Sequence, residues 1–261
     1  MQLPGPMLIM FILMITEMRF DDINFNFSDK IVLIIGGSRG IGFGVLSAFV
    51  TAGAKVFYVS RNPIKKKIRD AFHIKADLIN ENAIEDIFKT TDKYGPIDIL
   101  INSAAINYAH KFDSITSYEW DKVLNINLKS IFFICKEVIS KMKQKKAGKI
   151  VNISSIAGRH RSYVSGAHYV ASKAGLIGLT KQLAYEVAKY NININAVCPS
   201  QTLTDMLKKS MNKDELNLLK QNIPLERIAS VEDQVGPILF LCSDAASYIT
   251  GTYIDINGGQ I

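Results

Sequence analysis

Two side chains four residues apart could move a proton. Tyr169 and Lys173 open a predicted helix, and residues at positions i and i+4 share one helix face. Free tyrosine has a pKa of about 10, so roughly one phenol in a thousand is ionised at neutral pH, and a nearby ammonium makes the phenolate more accessible. Such a tyrosine can act as a general acid and base. Taken alone, a Tyr-x3-Lys pair is also a common structural pair on a helix surface.

A cluster of glycines follows the first apolar run of the chain. Residues 31–35 lead into Gly36, Gly40 and Gly42, and a predicted helix comes next. Glycine suits a tight strand-to-helix turn because it adopts positive φ, and because a side chain would keep the backbone away from a pyrophosphate. Turns need glycine too, but the place of this cluster between a strand and a helix favours a phosphate site.

The residues after the second apolar run select the cofactor. Dinucleotide folds usually have an acidic residue there, which binds the 2′-hydroxyl of the adenosine ribose. This chain has Ser60 and Arg61, which can hydrogen-bond and neutralise a 2′-phosphate, and Arg39 in the glycine turn can assist. We therefore expect NADP(H). Either arginine alone could be an ordinary solvated side chain, but two at one predicted position favour the phosphate.

Short apolar runs alternate with longer helical stretches from Lys30 onward, which is typical of βαβ units. Strands are predicted at residues 31–35, 55–59, 72–75, 97–101, 149–153, 192–197 and 252–256. Helices are predicted at residues 40–53, 81–94, 117–145, 167–190 and 231–243. The pattern predicts an α/β fold, a single-domain Rossmann fold with a doubly wound, seven-stranded parallel sheet and helices on both faces. Residues 199–226 form a long stretch between regular elements, which often indicates a functional lid.

Composition excludes several classes of protein. With 261 residues, 48% hydrophobic and 21% charged, the chain is neither disordered, collagenous nor a disulfide scaffold. A net charge of +7 attracts anions but falls short of a nucleic-acid-binding surface, and we expect no nucleic acid partner. The three cysteines are expected to be buried thiols, which fits a reducing cytoplasm: Cys135, Cys198 and Cys242. The four histidines show no metal-ligand spacing, so no metal is assigned.

The first 27 residues are treated as an N-terminal extension, and residues 28–261 as the catalytic domain. The most apolar run, residues 7–15, has about half of the ~20 residues needed to span a bilayer. It also lacks a basic region before it, so a secretory signal is not expected. Two alternatives remain. One is a segment that packs on the protein or touches a membrane, although membrane contact is not favoured. The other is upstream sequence, with Met18 an equally plausible first residue.

The order of these features resembles the short-chain dehydrogenase/reductase family, and in particular its 3-oxoacyl-[acyl-carrier-protein] reductases. The resemblance runs from about residue 28 to residue 261 and rests on Gly36, Gly40, Gly42, Asp77, Leu78, Asn102, Ser103, Ala104, Asn127, Ser154, Ser155, Tyr169, Lys173 and the ending from Ser243 to Gly259. It implies a catalytic tetrad of Asn127, Ser155, Tyr169 and Lys173. It further implies cofactor contacts from Gly36, Ser38, Arg39, Gly40, Ile41, Gly42, Ser60, Arg61, Asp77, Leu78, Asn102, Ala104, Tyr169, Lys173, Pro199, Thr202 and Thr204.

Several positions depart from the pattern of the family. Ile35 stands where threonine is usual, and the Asn-Asn-Ala-Gly stretch is changed at Ser103 and Ala105. Ser200 replaces the usual glycine after Pro199. These changes put backbone-supporting hydrogen bonds in doubt but remove no catalytic side chain. Ser154 is a possible substitute for Ser155.

The resemblance implies an NADPH-dependent reduction of a ketone to a secondary alcohol, with a 3-oxoacyl thioester as one candidate substrate. A hydride goes to the carbonyl carbon, Ser155 hydrogen-bonds the carbonyl oxygen, and Tyr169 delivers the proton. Lys173 bonds the nicotinamide ribose and favours the phenolate, and protons arrive through a water at Asn127. The alternatives are an NAD(P)-dependent alcohol or sugar dehydrogenase and a non-catalytic, NADP-binding regulatory protein.

The resemblance also implies partners for the chain. The family commonly forms homotetramers through its two long helices, here residues 117–145 and 167–190. In its 3-oxoacyl reductases, basic residues near the end of the first of these helices dock an acyl carrier protein, and Lys146 could serve. Arg159, His160 and Arg161 could receive an anionic substrate, although a solvated basic loop is the commoner meaning of such a run.

Overall fold

The apolar runs form one parallel sheet, because their β-branched and aromatic residues suit strands that are buried on both faces. The computed structural model describes residues 25–80, 82–205, 207 and 212–261. Its strands are β1 (Ile31–Ile35), β2 (Lys55–Ser60), β3 (Ala71–Lys75), β4 (Ile99–Asn102), β5 (Gly148–Ile153), β6 (Ile192–Pro199) and β7 (Tyr253–Ile256). All pairings are parallel, and the order across the sheet is β3-β2-β1-β4-β5-β6-β7. The predicted fold class is confirmed.

Helices cover both faces of the sheet. They are α1 (Gly40–Thr51), α2 (Ala83–Thr91), α3 (Ser117–Leu124), α4 (Ser130–Lys145), α5 (Ala167–Val187), α6 (Lys213–Gln221) and α7 (Glu232–Cys242). Successive strand residues point to opposite faces, so Val32 and Ile34 pack with α1 and α7, whereas Leu33 packs with α2, α4 and α5. Two cores result, one on each side of the sheet.

Two predicted elements differ in detail from the structure. The helix predicted over residues 117–145 is α3 and α4 joined by the π-helical turn Asn125–Lys129. The predicted long loop 199–226 contains α6, which begins with a capping box in which Asn212 and Glu215 exchange hydrogen bonds. A helix of nine residues produces only a short periodic pattern, which is why the sequence analysis missed it.

The register of the sheet brings functional segments together. Ile35 lies beside both Val59 and Asn102, and Ile153 lies beside Val197, so the strands end along one edge. The strand order reverses between β1 and β4. In open α/β sheets, ligands bind outside the carboxyl ends of the strands at such a switch point.

The packed part of the chain begins before the predicted domain boundary. Phe27 donates its backbone N–H to the carbonyl oxygen of Ala52 at 2.8 Å, and its ring meets the ring of Phe49 at 4.8 Å between centroids. The predictions for residues 1–24 lie outside the described residues. Within the described ranges, no helix is long and apolar enough to cross a membrane, and no cluster of three or more His, Cys, Asp or Glu could hold a metal ion. The three cysteines are buried and unpaired, as predicted.

Replacing Phe49 with alanine should test the core between α1 and the sheet. The ring of Phe49 is 0% exposed, so its removal should lower the free energy of unfolding by about 3–5 kcal/mol. Phe43 on the same helix is 38% exposed, and Phe43→Ala is the matched control, with an expected loss of about 1 kcal/mol or less. Urea denaturation measures both. Equal losses for the two variants would contradict this assignment of the core.

Candidate active site

A cavity of about 1080 Å³ opens at the carboxyl edge of the sheet, next to the switch in strand order. This volume is slightly above the ~300–1,000 Å³ of ordinary small-molecule sites. Most of the predicted site residues line it: Gly36, Ser38, Arg39, Gly40, Ile41, Ser60, Arg61, Asp77, Leu78, Ala104, Ser155, Tyr169, Lys173, Pro199, Thr202 and Thr204. Gly42, Asn102 and Asn127 do not contribute to its wall.

The glycine turn brings backbone, rather than side chains, to the cavity. Gly36 has φ +88°, and a Cβ there would lie 2.6 Å from the backbone nitrogen of Ala104. A Cβ on Gly42 would lie 2.2 Å from the carbonyl oxygen of Gly36, so Gly42 supports the turn from behind. Backbone nitrogen atoms at the start of α1 are therefore accessible to an anion. This turn fits the pyrophosphate of a dinucleotide.

The strand-to-turn connection keeps its hydrogen bonds despite the departures in sequence. The N–H of Gly36 donates to the carbonyl oxygen of Val59 at 2.9 Å, and the N–H of Ser103 donates to the carbonyl oxygen of Ile35 at 2.8 Å. Backbone groups thus tie β1 to both neighbouring strands, whatever side chain stands at position 35. The isoleucine is fully buried and packs into the core.

Cationic side chains lie at the far end of the cavity, where β2 ends. Arg39 and Arg61 are exposed and line the cavity, and neither has an ion-pair partner among the described residues. Lys65, which the sequence analysis did not single out, also lines it. Such a group of cations fits a phosphate.

Ser60 is engaged within the chain. Its hydroxyl donates to the carbonyl oxygen of Asn62 at 2.7 Å, and its oxygen lies 3.1 Å from Nε2 of His73. Ser60 would have to break its hydrogen bond to the carbonyl oxygen of Asn62 before its hydroxyl could donate to a ligand. His73 was missed because the register between β2 and β3, which places it beside this turn, is a tertiary feature.

Tyr169 and Ser155 meet at the centre of the cavity. Burial raises the pKa of Tyr169 to about 12, and a hydrogen bond with the Ser155 side chain acts in the opposite direction. Ser155 lies two residues after β5, and its hydroxyl oxygen accepts the N–H of Ala157 at 3.1 Å, which fixes that oxygen. Ser154, considered as a substitute, donates its hydroxyl to the carbonyl oxygen of Lys173 at 2.9 Å and is therefore used for structure. The geometry favours Ser155.

Lys173 places a buried ammonium beneath the tyrosine. Its side chain is 2% exposed, and Nζ donates to the carbonyl oxygen of Ile153 at 2.6 Å. The same Nζ lies 5.7 Å from the ring centroid of Tyr169. Burial lowers the pKa of Lys173 to about 8, and the nearby Cys198 acts in the opposite direction. A phenol that holds its proton thus stands beside an amine that exchanges protons near neutral pH.

Asn127 lies behind this pair rather than in the cavity. Its Oδ1 accepts the N–H of Ile106 at 2.9 Å. Its Nδ2 donates to the carbonyl oxygen of Ile106 at 2.9 Å and to the hydroxyl of Ser172 at 3.1 Å. The side-chain amide therefore ties the π-helical turn to the loop after β4 and to α5.

Asn102 is also a buried supporting residue. Its Nδ2 donates to Oδ1 of Asn152 at 2.8 Å, and Asn152 in turn donates to the hydroxyl of Thr180 at 2.8 Å. This chain of side chains links β4, β5 and α5 below the cavity. The sequence analysis expected Asn102 to face the cofactor, whereas the structure points its amide into the interior.

Comparison with known proteins identifies the family. A family model described as enoyl-(acyl carrier protein) reductase matches residues 36–260. The 3-oxoacyl-[acyl-carrier-protein] reductase FabG of Aquifex aeolicus (strain VF5) is 36% identical over 245 residues, which cover 88% of this chain and 97% of that protein. The chain belongs to the short-chain dehydrogenase/reductase family.

Other members of the short-chain dehydrogenase/reductase family agree in length and in fold. The acetoacetyl-CoA reductase of Acinetobacter sp. (strain RA3849) is 35% identical over 242 residues, covering 88% of this chain and 97% of that protein. A short-chain dehydrogenase from Leptospira borgpetersenii serovar Hardjo-bovis (strain JB197), solved with bound NAD+, is 30% identical. It superposes with a TM-score of 0.86 over 93% of this chain and 97% of that one. The predicted family is confirmed.

Basic residues mark the other end of the cavity in this short-chain dehydrogenase/reductase. Arg159 forms an ion pair with Asp255 and is not part of the cavity wall. Arg161 does line the cavity, and its Nη2 donates to the hydroxyl of Tyr163 at 2.7 Å. Three further residues on this wall were missed by the sequence analysis because only the tertiary fold brings them here: Asn107, Tyr108 and Lys122.

The pH dependence of stability should report the buried Lys173. Because its pKa falls from 10.5 to about 8 on folding, the unfolded chain binds more protons between these values, and stability rises with pH. The raised pKa of Tyr169 acts oppositely above its ordinary value of 10.0, so the window to measure lies below that pH. Urea denaturation of the cofactor-free protein should show the unfolding free energy of the wild type rising relative to Lys173→Met from about pH 8 to about pH 10. A constant difference would contradict the burial of a titrating amine.

Proposed function

We propose that this short-chain dehydrogenase/reductase is an NADPH-dependent reductase that converts a ketone, with a 3-oxoacyl thioester as the substrate class, to a secondary alcohol. The observation that supports it is the meeting of Ser155, Tyr169 and Lys173 in one cavity whose far end is a glycine turn with free cations. The similarity to a 3-oxoacyl reductase and an acetoacetyl-CoA reductase supports the substrate class.

The chain would hold the cofactor along the carboxyl edge of the sheet. The glycine turn would receive the pyrophosphate, and Arg39 and Arg61, with Lys65 beside them, would receive the 2′-phosphate. When bound there, the nicotinamide supplies the hydride. Lys173 uses one of its three N–H groups on Ile153, which leaves donors for a ribose hydroxyl.

The protonation of Tyr169 in the cofactor-free protein suits the proton delivery that a reduction needs. With a pKa of about 12, the Tyr169 phenol keeps its proton at neutral pH and can deliver it to a carbonyl oxygen. Ser155 would hydrogen-bond the same oxygen as negative charge develops on it. Lys173 then stabilises the phenolate and returns a proton to it. A water at Asn127 would have to bind its backbone, because its side-chain amide is used by Ile106 and Ser172.

We also propose an acyl carrier protein as the substrate carrier and a homotetramer as the assembly. In the basic cluster at the end of α4, Lys141 pairs with Asp92 and Lys145 pairs with Asp98. Lys146 is exposed and has no ion-pair partner within the described residues, so it remains available for an acidic partner. For the tetramer, α4 carries two large exposed rings, Phe132 and Phe133.

Replacing Tyr169 with phenylalanine tests the chemistry. Loss of the proton donor should lower kcat for acetoacetyl-CoA reduction by about 10²–10⁴-fold. The Kd for NADPH should change by less than about twofold, because the phenol acts on the reacting oxygen rather than on the cofactor phosphates. Tyr185→Phe, on the exposed side of the same helix, is the matched control and should have wild-type kcat.

Three outcomes separate the alternatives. Turnover of Tyr169→Phe at the wild-type rate would reject the proposed acid. A wild-type enzyme that oxidises an aldose with NAD+ faster than it reduces acetoacetyl-CoA would favour the sugar dehydrogenase. Tight NADPH binding without turnover on thioesters, sugar ketones or steroid ketones would favour the regulatory protein.

Replacing Arg61 with alanine tests the choice of cofactor. The KM for NADPH should rise about tenfold or more, because a charge-assisted contact with the 2′-phosphate is lost, whereas the KM for NADH should stay within about twofold. Lys66→Ala is the matched control, since Lys66 is exposed on the same segment but does not line the cavity. A wild-type enzyme that binds NADH as tightly as NADPH would contradict the assignment.

A further inference from the structure

The first turn of α5 lacks an ordinary cap. Its N-cap residue is Gly166, which has no side chain, although the first N–H groups of a helix need acceptors from outside the helix. The N–H of Tyr169 has two acceptors: the carbonyl oxygen of Gly166 at 3.0 Å and, at a shorter distance, an imidazole. Nδ1 of His168 accepts the backbone N–H of Tyr169 at 2.8 Å. A Cβ on Gly166 would lie 2.5 Å from Cε1 of His168, so this ring occupies the space that a capping side chain would need.

A carboxylate holds this imidazole from the other side. His168 is 0% exposed, and its Nε2 lies 2.7 Å from Oε1 of Glu119. Because Nδ1 accepts a hydrogen from the backbone, Nε2 must carry the ring proton and donate it to the carboxylate. The two hydrogen bonds together require one tautomer of His168, with the proton on Nε2.

Glu119 is itself well anchored. It lies in the first turn of α3, where its N–H donates to the hydroxyl of the N-cap residue Thr116 at 3.2 Å. Its second oxygen, Oε2, lies 2.8 Å from Nδ1 of His110. Burial raises the pKa of Glu119, but the hydrogen bonds from His168 and His110 outweigh this effect and leave it below the ordinary value. Glu119 therefore remains an ionised acceptor for His168.

We propose that His168, fixed in its Nε2–H tautomer by Glu119, is a positioning residue for Tyr169. The inference rests on the proposed reductase function, in which Tyr169 is the proton donor. Tyr169 occupies the third position of α5, so the backbone geometry of this first turn sets the direction in which the phenol leaves the helix. Lys173 follows one turn later on the same helix. A displacement of about 1 Å in a reacting group can cost about 10²-fold in rate, so the first turn must be held firmly.

Two substitutions separate the two hydrogen bonds of His168. In His168→Asn, Oδ1 takes the place of Nδ1 and can accept the N–H of Tyr169, but the side chain is too short to reach Glu119. In His168→Gln, the terminal amide takes the place of Nε2 and can donate to Glu119, but the N–H of Tyr169 keeps only the longer bond to the carbonyl oxygen of Gly166, at 3.0 Å. The matched control is His110→Asn, which removes the other imidazole on Glu119 and touches neither Tyr169 nor the cavity.

The loss of kcat should depend on whether residue 168 still accepts the backbone N–H of Tyr169. We expect kcat with acetoacetyl-CoA to fall about tenfold or more in His168→Gln and about threefold or less in His168→Asn, with KM and the Kd for NADPH within about twofold in both. His110→Asn should match the wild type. Full activity of His168→Gln, or equal losses in the two variants, would overturn the proposal. If the wild type reduces no ketone, the proposed reductase function is wrong, and the role of His168 is then decided by two further measurements.

These measurements need no turnover. The ¹⁵N spectrum of histidine-labelled wild-type protein should show the ring proton of His168 on Nε2, with Nδ1 as the acceptor. Hydrogen–deuterium exchange of the first turn of α5 should be faster in His168→Gln than in the wild type and close to the wild type in His168→Asn. A proton on Nδ1 of His168, or exchange that is unchanged in His168→Gln, would overturn the proposal whether or not the protein is active.

Discussion

The site depends on the attachment of one helix to the end of one strand. Lys173 of α5 donates its buried ammonium to the carbonyl oxygen of Ile153 at the end of β5, and Ser154 returns a hydrogen bond to the carbonyl oxygen of Lys173. A buried ammonium is costly unless it is hydrogen-bonded. The contact must therefore be close. Gly158 permits the close approach, because a Cβ at that position would lie only 2.6 Å from the backbone of Lys173. This attachment sets the distance between the amine and the phenol.

Every other part of the site is arranged around that contact by the parallel sheet. Because parallel strands end along the same edge, the glycine turn after β1, the arginine after β2 and the serine after β5 face a single cavity. Buried amides support this edge from below. Asn102 and Asn152 connect the strands to α5, and Asn127 connects the loop after β4 to the π-helical turn. The polar interior is thus a framework that holds the cavity wall.

The fold alone does not determine which cofactor or substrate is used. A relative with bound NAD+ has nearly the same backbone, at a TM-score of 0.86 over most of both chains. What distinguishes cofactors is the charge at one turn, where this chain has Arg39, Arg61 and Lys65 on the cavity wall. The other end, with Lys122 and Arg161, is also basic. Cationic side chains therefore lie at both ends of the cavity.

The sequence by itself determined the fold class and the glycine turn, and it placed Tyr169 and Lys173 on one helix face, whereas Ser155 entered only through the family resemblance. Local patterns suffice for these features, because an apolar run, a glycine cluster and an i, i+4 pair depend on neighbours in the chain. The same reasoning placed Arg159 with Arg161 near the substrate, yet the fold pairs Arg159 with Asp255. It also missed α6, whose nine residues are too few for a clear period.

Only the tertiary structure decided which side chains serve the cavity and which support it. The resemblance implied a cofactor contact for Asn102 and a catalytic role for Asn127, but the Nδ2 groups of both donate to other parts of the chain. Glu119 and His168 are 49 residues apart, and no local pattern connects them. The physical reason is the same in each case. A hydrogen bond depends on distances of about 3 Å between atoms, and these distances are set by the packing of whole elements rather than by spacing along the chain.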